Sequence, residues 1–299
     1  MSAPPSLKPE GPPLLSVRGL SKHFPLYTAG FRRRQTGVTK AVDDVSFDLA
    51  PGESLGLVGE SGCGKTTTAR CILRAIEPTA GAVHFRLPDG NTVDLARLPG
   101  RALKPVRQHA QMVFQDPFSS LNPRMTVRDI VGEPLVIHGL ARGEELDARV
   151  AAILERVGLK PEHRLRYPHA FSGGQRQRIG IARALIMRPR LIVCDEATSA
   201  LDVSVQAQVL DLLKELQRDF GLTYLFVAHN LDVVRNFCDC VAVMRKGRIV
   251  ELASTPQIFS APQHPYTRLL LSAVPSPDPD VPMNFNVGEE LAKLDAAMG

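Results

Sequence analysis

No apolar stretch among the 299 residues is as long as the roughly 18–20 residues a helix needs to cross a bilayer. The longest apolar runs, such as Leu191-Ile192-Val193-Cys194, are the length of a strand. Residues 1–13 are rich in Pro and Ser and lack the apolar core of a signal peptide. The chain is therefore expected to stay in the cytosol unless a partner holds it at a membrane. Cysteine is scarce: Cys63, Cys71, Cys194, Cys238 and Cys240 are an odd, scattered five. This argues against a disulfide framework and for a reducing compartment. Cys238-x-Cys240 has neither a second pair nor a nearby His at zinc spacing, so small buried thiols are expected. Charge of one sign is also limited, with a net +5, a pI of about 9.1, and Arg32-Arg33-Arg34 as the one dense basic run. We read that as ordinary surface charge rather than a nucleic-acid footprint. No internal repeat is visible.

What is present is a chain 44% hydrophobic and 22% charged, ordinary for a globular protein. Strand-like segments alternate with helical ones. Short strands are expected at 14–17, 42–49, 54–58, 82–86, 93–95, 111–114, 191–194, 223–228, 241–244 and 249–252. Helices are expected at 65–75, 127–138, 144–157, 173–187, 203–220 and 231–237. Such alternation implies an α/β fold with a mostly parallel sheet, and ligands beyond the carboxyl ends of its strands. From about 116 to 170 the period turns wholly helical, marking an inserted helical subdomain. Residues 1–13 read as a disordered leader, 14–274 as the folded domain, and the Pro- and Asp-rich 275–299 as a tail, with 289–298 able to form one short helix. A loop carrying the arginines is expected between Phe24 and Val42.

Two motifs carry chemistry on their own residues. The first is Gly59-Glu60-Ser61-Gly62-Cys63-Gly64-Lys65-Thr66, followed by Thr67. Its glycines let backbone N–H groups turn inward around phosphate oxygens, and the helix that starts near Lys65 aims its positive end at the same place. Lys65 is expected to reach the β- and γ-phosphates, and Thr66 to place its hydroxyl on Mg²⁺. This loop alone says only that a nucleoside triphosphate binds. The second motif is Asp195-Glu196, at the end of an apolar strand. Asp195 suits Mg²⁺ held through water, and Glu196 suits the general base for an attacking water.

Together with Gln115, Phe171-Ser172-Gly173-Gly174-Gln175, Ser199-Ala200-Leu201-Asp202 and His229, these motifs resemble the ATP-binding subunits of ABC transporters in order and spacing, over about residues 14–255. The resemblance implies a P-loop NTPase fold: a mostly parallel core sheet, an antiparallel β subdomain and the helical insertion. It also implies a dimer in which Ser172, Gly173, Gly174 and Gln175 meet the γ-phosphate held by the opposite subunit. The residues agree, because Ser172 and the following N–H groups form a helix start, which is both an ordinary cap and an anion site. By the same resemblance Gln115 senses Mg²⁺ and water, His229 bonds the γ-phosphate, and Asp202 lies at the dimer interface. Either Phe24 or Tyr27 stacks on the base, with Phe24 the better match.

Further stretches resemble the dipeptide, oligopeptide and nickel importer branch. They are Phe114 to Met125, Arg166-Tyr167-Pro168-His169, Leu201 to Gln208, and the tail His264-Pro265-Tyr266-Thr267 with Leu270 to Pro275. The branch implies a second ATPase subunit, either a different chain or a copy of this one. It implies two membrane permease subunits above the pair, and an extracytoplasmic solute-binding protein acting indirectly. The chain is then peripheral, on the cytoplasmic side of the membrane. A coupling helix of each permease subunit docks near Gln115–Arg124, where Phe118 and Leu121 are expected to be exposed. Three stretches depart from the branch pattern: Ala197-Thr198, Asn230 and Arg245-Lys246-Gly247. They are expected to touch none of the chemical groups above. The tail has no cysteine, so an iron–sulfur cluster is not expected.

Two other classes fit less well. A soluble relative acting on DNA or ribosomes would carry two cassettes, coiled-coil inserts or zinc modules, so no nucleic-acid partner is expected. A small-molecule kinase would leave the second glycine motif unexplained.

Overall fold

In the computed structural model, which describes residues 11–27, 35–116 and 119–273, alternate burial shapes the first two strands. They are β1 (Leu15–Tyr27) and β2 (Gln35–Leu49), paired antiparallel. Val45, Phe47 and Leu49 of β2 are fully buried with less buried residues between them, the period of a sheet with one covered face. β3 (Ser54–Val58) is instead buried at every position, as befits a strand covered on both faces, and leads through a glycine loop into α1 (Lys65–Ile72). β4 (Ala80–Arg86) and β5 (Thr92–Asp94) complete a four-stranded antiparallel sheet of order β2-β1-β4-β5.

After α2 (Gly100–Arg107) and β6 (Ala110–Val113), the chain forms α3 (Val127–Ile137), α4 (Gly143–Arg156) and two 3-10 turns at Pro161–Leu165 and Pro168–Ala170. Thr126 caps α3 by accepting the Asp129 N–H, and Arg128 pairs with Asp147 across to α4. Then follow α5 (Gly173–Leu185), β7 (Leu191–Asp195), α6 (Val203–Phe220), β8 (Thr223–Val227) and α7 (Leu231–Phe237). β9 (Cys240–Arg245), β10 (Arg248–Ser254), α8 (Thr255–Ser260) and α9 (Pro265–Ser272) end the described chain.

The second sheet has order β10-β9-β3-β8-β7-β6, parallel except for the β9–β10 hairpin. Because side chains alternate along a strand, its two faces feed two cores. Ile192, Cys194, Tyr224 and Phe226 face the core shared with α5, α6, α7 and the helical insertion. Leu191, Val193, Leu225 and Val227 face the core shared with α1 and the antiparallel sheet. All five cysteines are buried and lie outside any disulfide. Among the described residues, no helix is long and apolar enough to cross a membrane.

Several expectations need correction. β1 does not stop at 17 but runs to Tyr27. Register shifts between Val17 and Leu20, and again around Lys22, break the alternation that would have revealed it. β2 begins at Gln35, so most of the loop expected between Phe24 and Val42 is strand. α2, α8 and α9 were not foreseen. Each carries a proline, at Pro105, Pro256 or Pro265, which reads as a break in sequence but is tolerated at a helix start or in a short helix. Leu121 is not exposed; it is 2% accessible and packs in the core. Phe118, the arginine run, residues 1–10 of the expected leader, the expected tail and its short helix lie outside the described residues.

Candidate active site

The sheet order places four chain crossings side by side. From β3 the chain enters the glycine loop, from β8 it reaches His229, from β7 Asp195 and Glu196, and from β6 Gln115. All four lie at the carboxyl ends of neighbouring parallel strands, where an α/β sheet opens to ligands.

The loop is shaped by close packing. Gly59 has φ 145° and Gly64 φ 107°. A Cβ on Gly59 would lie 2.1 Å from the Met244 carbonyl oxygen, and one on Gly64 2.1 Å from that of Ala41. Only glycine allows this backbone path. The Lys65 ammonium is buried and donates to the carbonyl oxygens of Gly59 and Glu60, at 2.8 Å each, with the Cys63 sulfur at 3.8 Å. These bonding partners are neutral. A buried cation solvated only by neutral groups is a site for an anion, so the loop fits a phosphate.

Next to it, the Thr66 hydroxyl donates to Asp195 Oδ1 at 2.8 Å, and Arg70 stands 3.7 Å from Oδ2. Asp195 is 2% exposed, and burial pushes its carboxyl above its ordinary value. A hydroxyl and a buried carboxylate are oxygen donors of the kind a hard divalent cation takes.

Glu196 follows in the left-handed region, with φ 49°. Non-glycine residues seldom adopt it without a compensating role. Its N–H donates to Val227 O at 2.9 Å, fixing the backbone against β8. Its Oε2 accepts from Gln115 Nε2 at 2.6 Å and lies 3.4 Å from His229 Nδ1. Glu196 and His229 line one cleft with Thr198, Ser199 and Gln206. The structure thus brings Gln115, Glu196 and His229 into one cluster, beside the Thr66–Asp195 pair.

The other expected residues stand apart from that cluster. Ser172 caps α5: its hydroxyl accepts the Gln175 N–H at 3.4 Å, while Gln175 Oε1 accepts the Ser172 N–H at 3.1 Å. This reciprocal pair is a capping box. It leaves Ser172 exposed and Gly174 buried where α5 crosses Val205 of α6. Asp202 caps α6. The Val205 N–H, at 3.0 Å, and then the Ser204 hydroxyl, at 2.9 Å, hold its carboxyl below the ordinary value. Phe24 is 38% exposed with the Lys22 ammonium 5.0 Å over its ring, and Tyr27 is 53% exposed. Both aromatic rings are therefore open to a base.

Two contacts to the loop, and one that supports them, escaped the sequence reading. The Gly247 N–H donates to Cys63 O at 2.9 Å. The Glu60 N–H donates to the Tyr266 hydroxyl at 3.2 Å. The Arg245 guanidinium lies 5.0 Å over the Tyr266 ring. The segment Arg245-Lys246-Gly247, expected to touch nothing of chemical importance, therefore backs the glycine loop directly. One more residue joins α5 to the segment after β6: Arg183 donates to Ser120 O at 2.8 Å and lies 5.6 Å from the Phe114 ring. No local signal marks it, since an arginine on a helix is usually solvated.

The ABC transporter family matches residues 42–199, and the oligopeptide/dipeptide transporter C-terminal region matches residues 250–293. Similar curated proteins include the glutathione import ATP-binding protein GsiA of Shigella flexneri serotype 5b, 51% identical over 95% of this chain and 47% of that protein. GsiA of Escherichia coli strain K12 is 50% identical over the same shares. The chain thus spans about half the length of the curated relatives it matches. Among solved structures, a post-hydrolysis dimer of the ATP-binding cassette MJ0796 bound to ADP and Pi is 28% identical, with a TM-score of 0.68 over 81% of this chain and 98% of that one. cbiO1 from Clostridium perfringens, part of the ABC transporter complex cbiONQ, is 27% identical, with a TM-score of 0.68 over 83% and 91%.

Proposed function

The chain belongs to the ABC transporter family as one of its ATPase cassettes, and on that premise we propose that it powers the import of a peptide-type solute. Hydrolysis is driven in a site shared by two cassettes and passed to membrane permease subunits. The single observation that carries this reading is the cluster at the strand ends. Glu196 is held by Gln115 and His229, one residue from the Asp195 that bonds Thr66.

The proposed chemistry follows from those positions. ATP phosphates occupy the glycine loop, from Gly59 to Thr67, and Lys65 turns from its two carbonyls to the β- and γ-phosphates. Thr66, Asp195 and Gln115 would hold Mg²⁺, with Asp195 acting through water. The ion supplies neutralisation of phosphate charge. Glu196 accepts the proton of a water that attacks the γ-phosphorus, while the bond to the bridging oxygen breaks and ADP leaves. Gln115 holds the Glu196 carboxylate, and His229 stands ready to bond the γ-phosphate. Ser172, Gly173, Gly174 and Gln175 present their helix start to nucleotide on the opposite cassette, and Asp202 lies at that interface. Phe24 or Tyr27 stacks on the base.

Coupling would run through the cleft of about 540 Å³ between β6 and the helical insertion, lined by Phe114, Ser119, Ser120, Glu133, Pro134 and Arg183. A short helix of a permease subunit would dock there and move with the insertion. The chain would then sit at the cytoplasmic face of the membrane, supplied indirectly by a solute-binding protein. The solute class rests on the matched C-terminal region and on the glutathione import named for the relatives. The opposite cassette is either a second ATPase chain or a copy of this one. The test is Glu196→Gln with magnesium-ATP and the proper second cassette. A trapped dimer with nucleotide bound and turnover lost is expected; unchanged turnover overturns the reading.

A further inference from the structure

Tyr266 is fully buried, and its hydroxyl oxygen meets the Glu60 N–H of the glycine loop, 206 positions away in sequence. A buried tyrosine needs a partner for that oxygen, and here the partner belongs to the nucleotide-binding loop itself. Glu60 is gripped from both sides: its carbonyl accepts from the Lys65 ammonium and its N–H donates to the Tyr266 hydroxyl oxygen. If Lys65 turns to phosphate, the Glu60 carbonyl keeps the Cys63 N–H, at 3.2 Å, and the Tyr266 hydroxyl still holds the Glu60 N–H from outside the loop.

The tyrosine itself is held rigidly. Glu251 accepts the N–H groups of Gln263, at 2.8 Å, and His264, at 3.0 Å. His264 Nδ1 accepts the Tyr266 N–H at 3.1 Å, and Pro265 opens α9 with a fixed φ. Arg245, 6% exposed, covers the ring face. Every backbone donor leading into α9 is therefore tied, and Tyr266 cannot drift from the loop without breaking that start.

From this geometry we infer that Tyr266 is a positioning residue for nucleotide binding, and that the C-terminal segment 250–273 acts as a clamp on the phosphate loop. The inference rests on the cassette reading for its consequence, but the clamp itself can be measured without nucleotide. Tyr266→Phe removes only the oxygen and keeps the ring. Loss of one buried acceptor is expected to weaken magnesium-ATP binding about three- to tenfold, with faster amide hydrogen exchange over residues 59–64 in the nucleotide-free chain. A merely structural tyrosine would speed exchange over α9 and β10 as much as over residues 59–64, and that result overturns the inference. So does unchanged exchange over 59–64 in Tyr266→Phe. An unsubstituted chain that binds no ATP strikes the cassette reading instead, while the exchange measurement still decides the clamp.

Discussion

The two halves of the site are held in different ways. Around the phosphate loop, each group is tied to a different part of the chain: Cys63 to Gly247, Glu60 to Tyr266, Thr66 to Asp195, and Glu196 to Gln115. At the start of α5, Ser172 and Gln175 bond each other within one turn, and Asp202 likewise bonds within the first turn of α6. One half is assembled by tertiary structure. The other is a local cap that presents an exposed serine and a helix start. In the proposed function this is what a shared site requires, since each chain builds one pocket completely and carries a finished lid for another.

The largest expected effect lies in the assembled half. Glu196→Gln should keep nucleotide binding while phosphate release falls about 10²–10⁴-fold. Equilibrium binding and a release assay on one preparation separate the two. Gly64→Ala should follow, because its Cβ would sit 2.1 Å from a backbone oxygen at φ 107°. The strain is expected to cost about 1–3 kcal/mol, and the distorted loop to lose ATP affinity; calorimetric unfolding and titration of the same variant check both. Ser172→Ala tests the contrast itself. Loss of the cap should cost about 1 kcal/mol of stability, and turnover in the dimer should fall about tenfold, the value of one bond to a charged group. ATP affinity of the isolated chain should not move. If it does, the division into two halves is wrong.

The smallest effect concerns α9. His264 must keep Nδ1 unprotonated to accept the Tyr266 N–H. Burial holds its pKa below the ordinary value; Glu251 opposes this, while Arg245 and Arg268 add to it. A lowered folded value means the neutral cap stabilises fully above the ordinary pKa of about 6.5 and is lost as pH falls through the folded value. The unfolding temperature should therefore drop more between pH 7 and 5 in the unsubstituted chain than in His264→Asn, whose amide caps without titrating.

Much of this site was legible because its chemistry is written in contiguous residues. A glycine loop after an apolar strand, two acids at a strand end, and Ser-Gly-Gly-Gln before a helix each carry their own local reason. What was illegible depends on distance or on broken pattern. β1 hid behind its register shifts, α9 behind Pro265, and Leu121 behind a loop-like composition. Arg245 and Gly247 looked incidental, and Arg183 looked like any helical arginine.

By itself the sequence determined the strand–helix alternation, the place of the glycine loop between β3 and α1, and the capped starts of α5 and α6. Glycine stereochemistry, side-chain period and capping all act over a few residues. Only the tertiary structure decided that Gln115, Glu196 and His229 meet, because strand order β3-β8-β7-β6 is not chain order. It alone decided that the tyrosine of the C-terminal segment reaches the phosphate loop. A hydrogen bond across 206 positions depends on how two cores pack, and no local pattern encodes that.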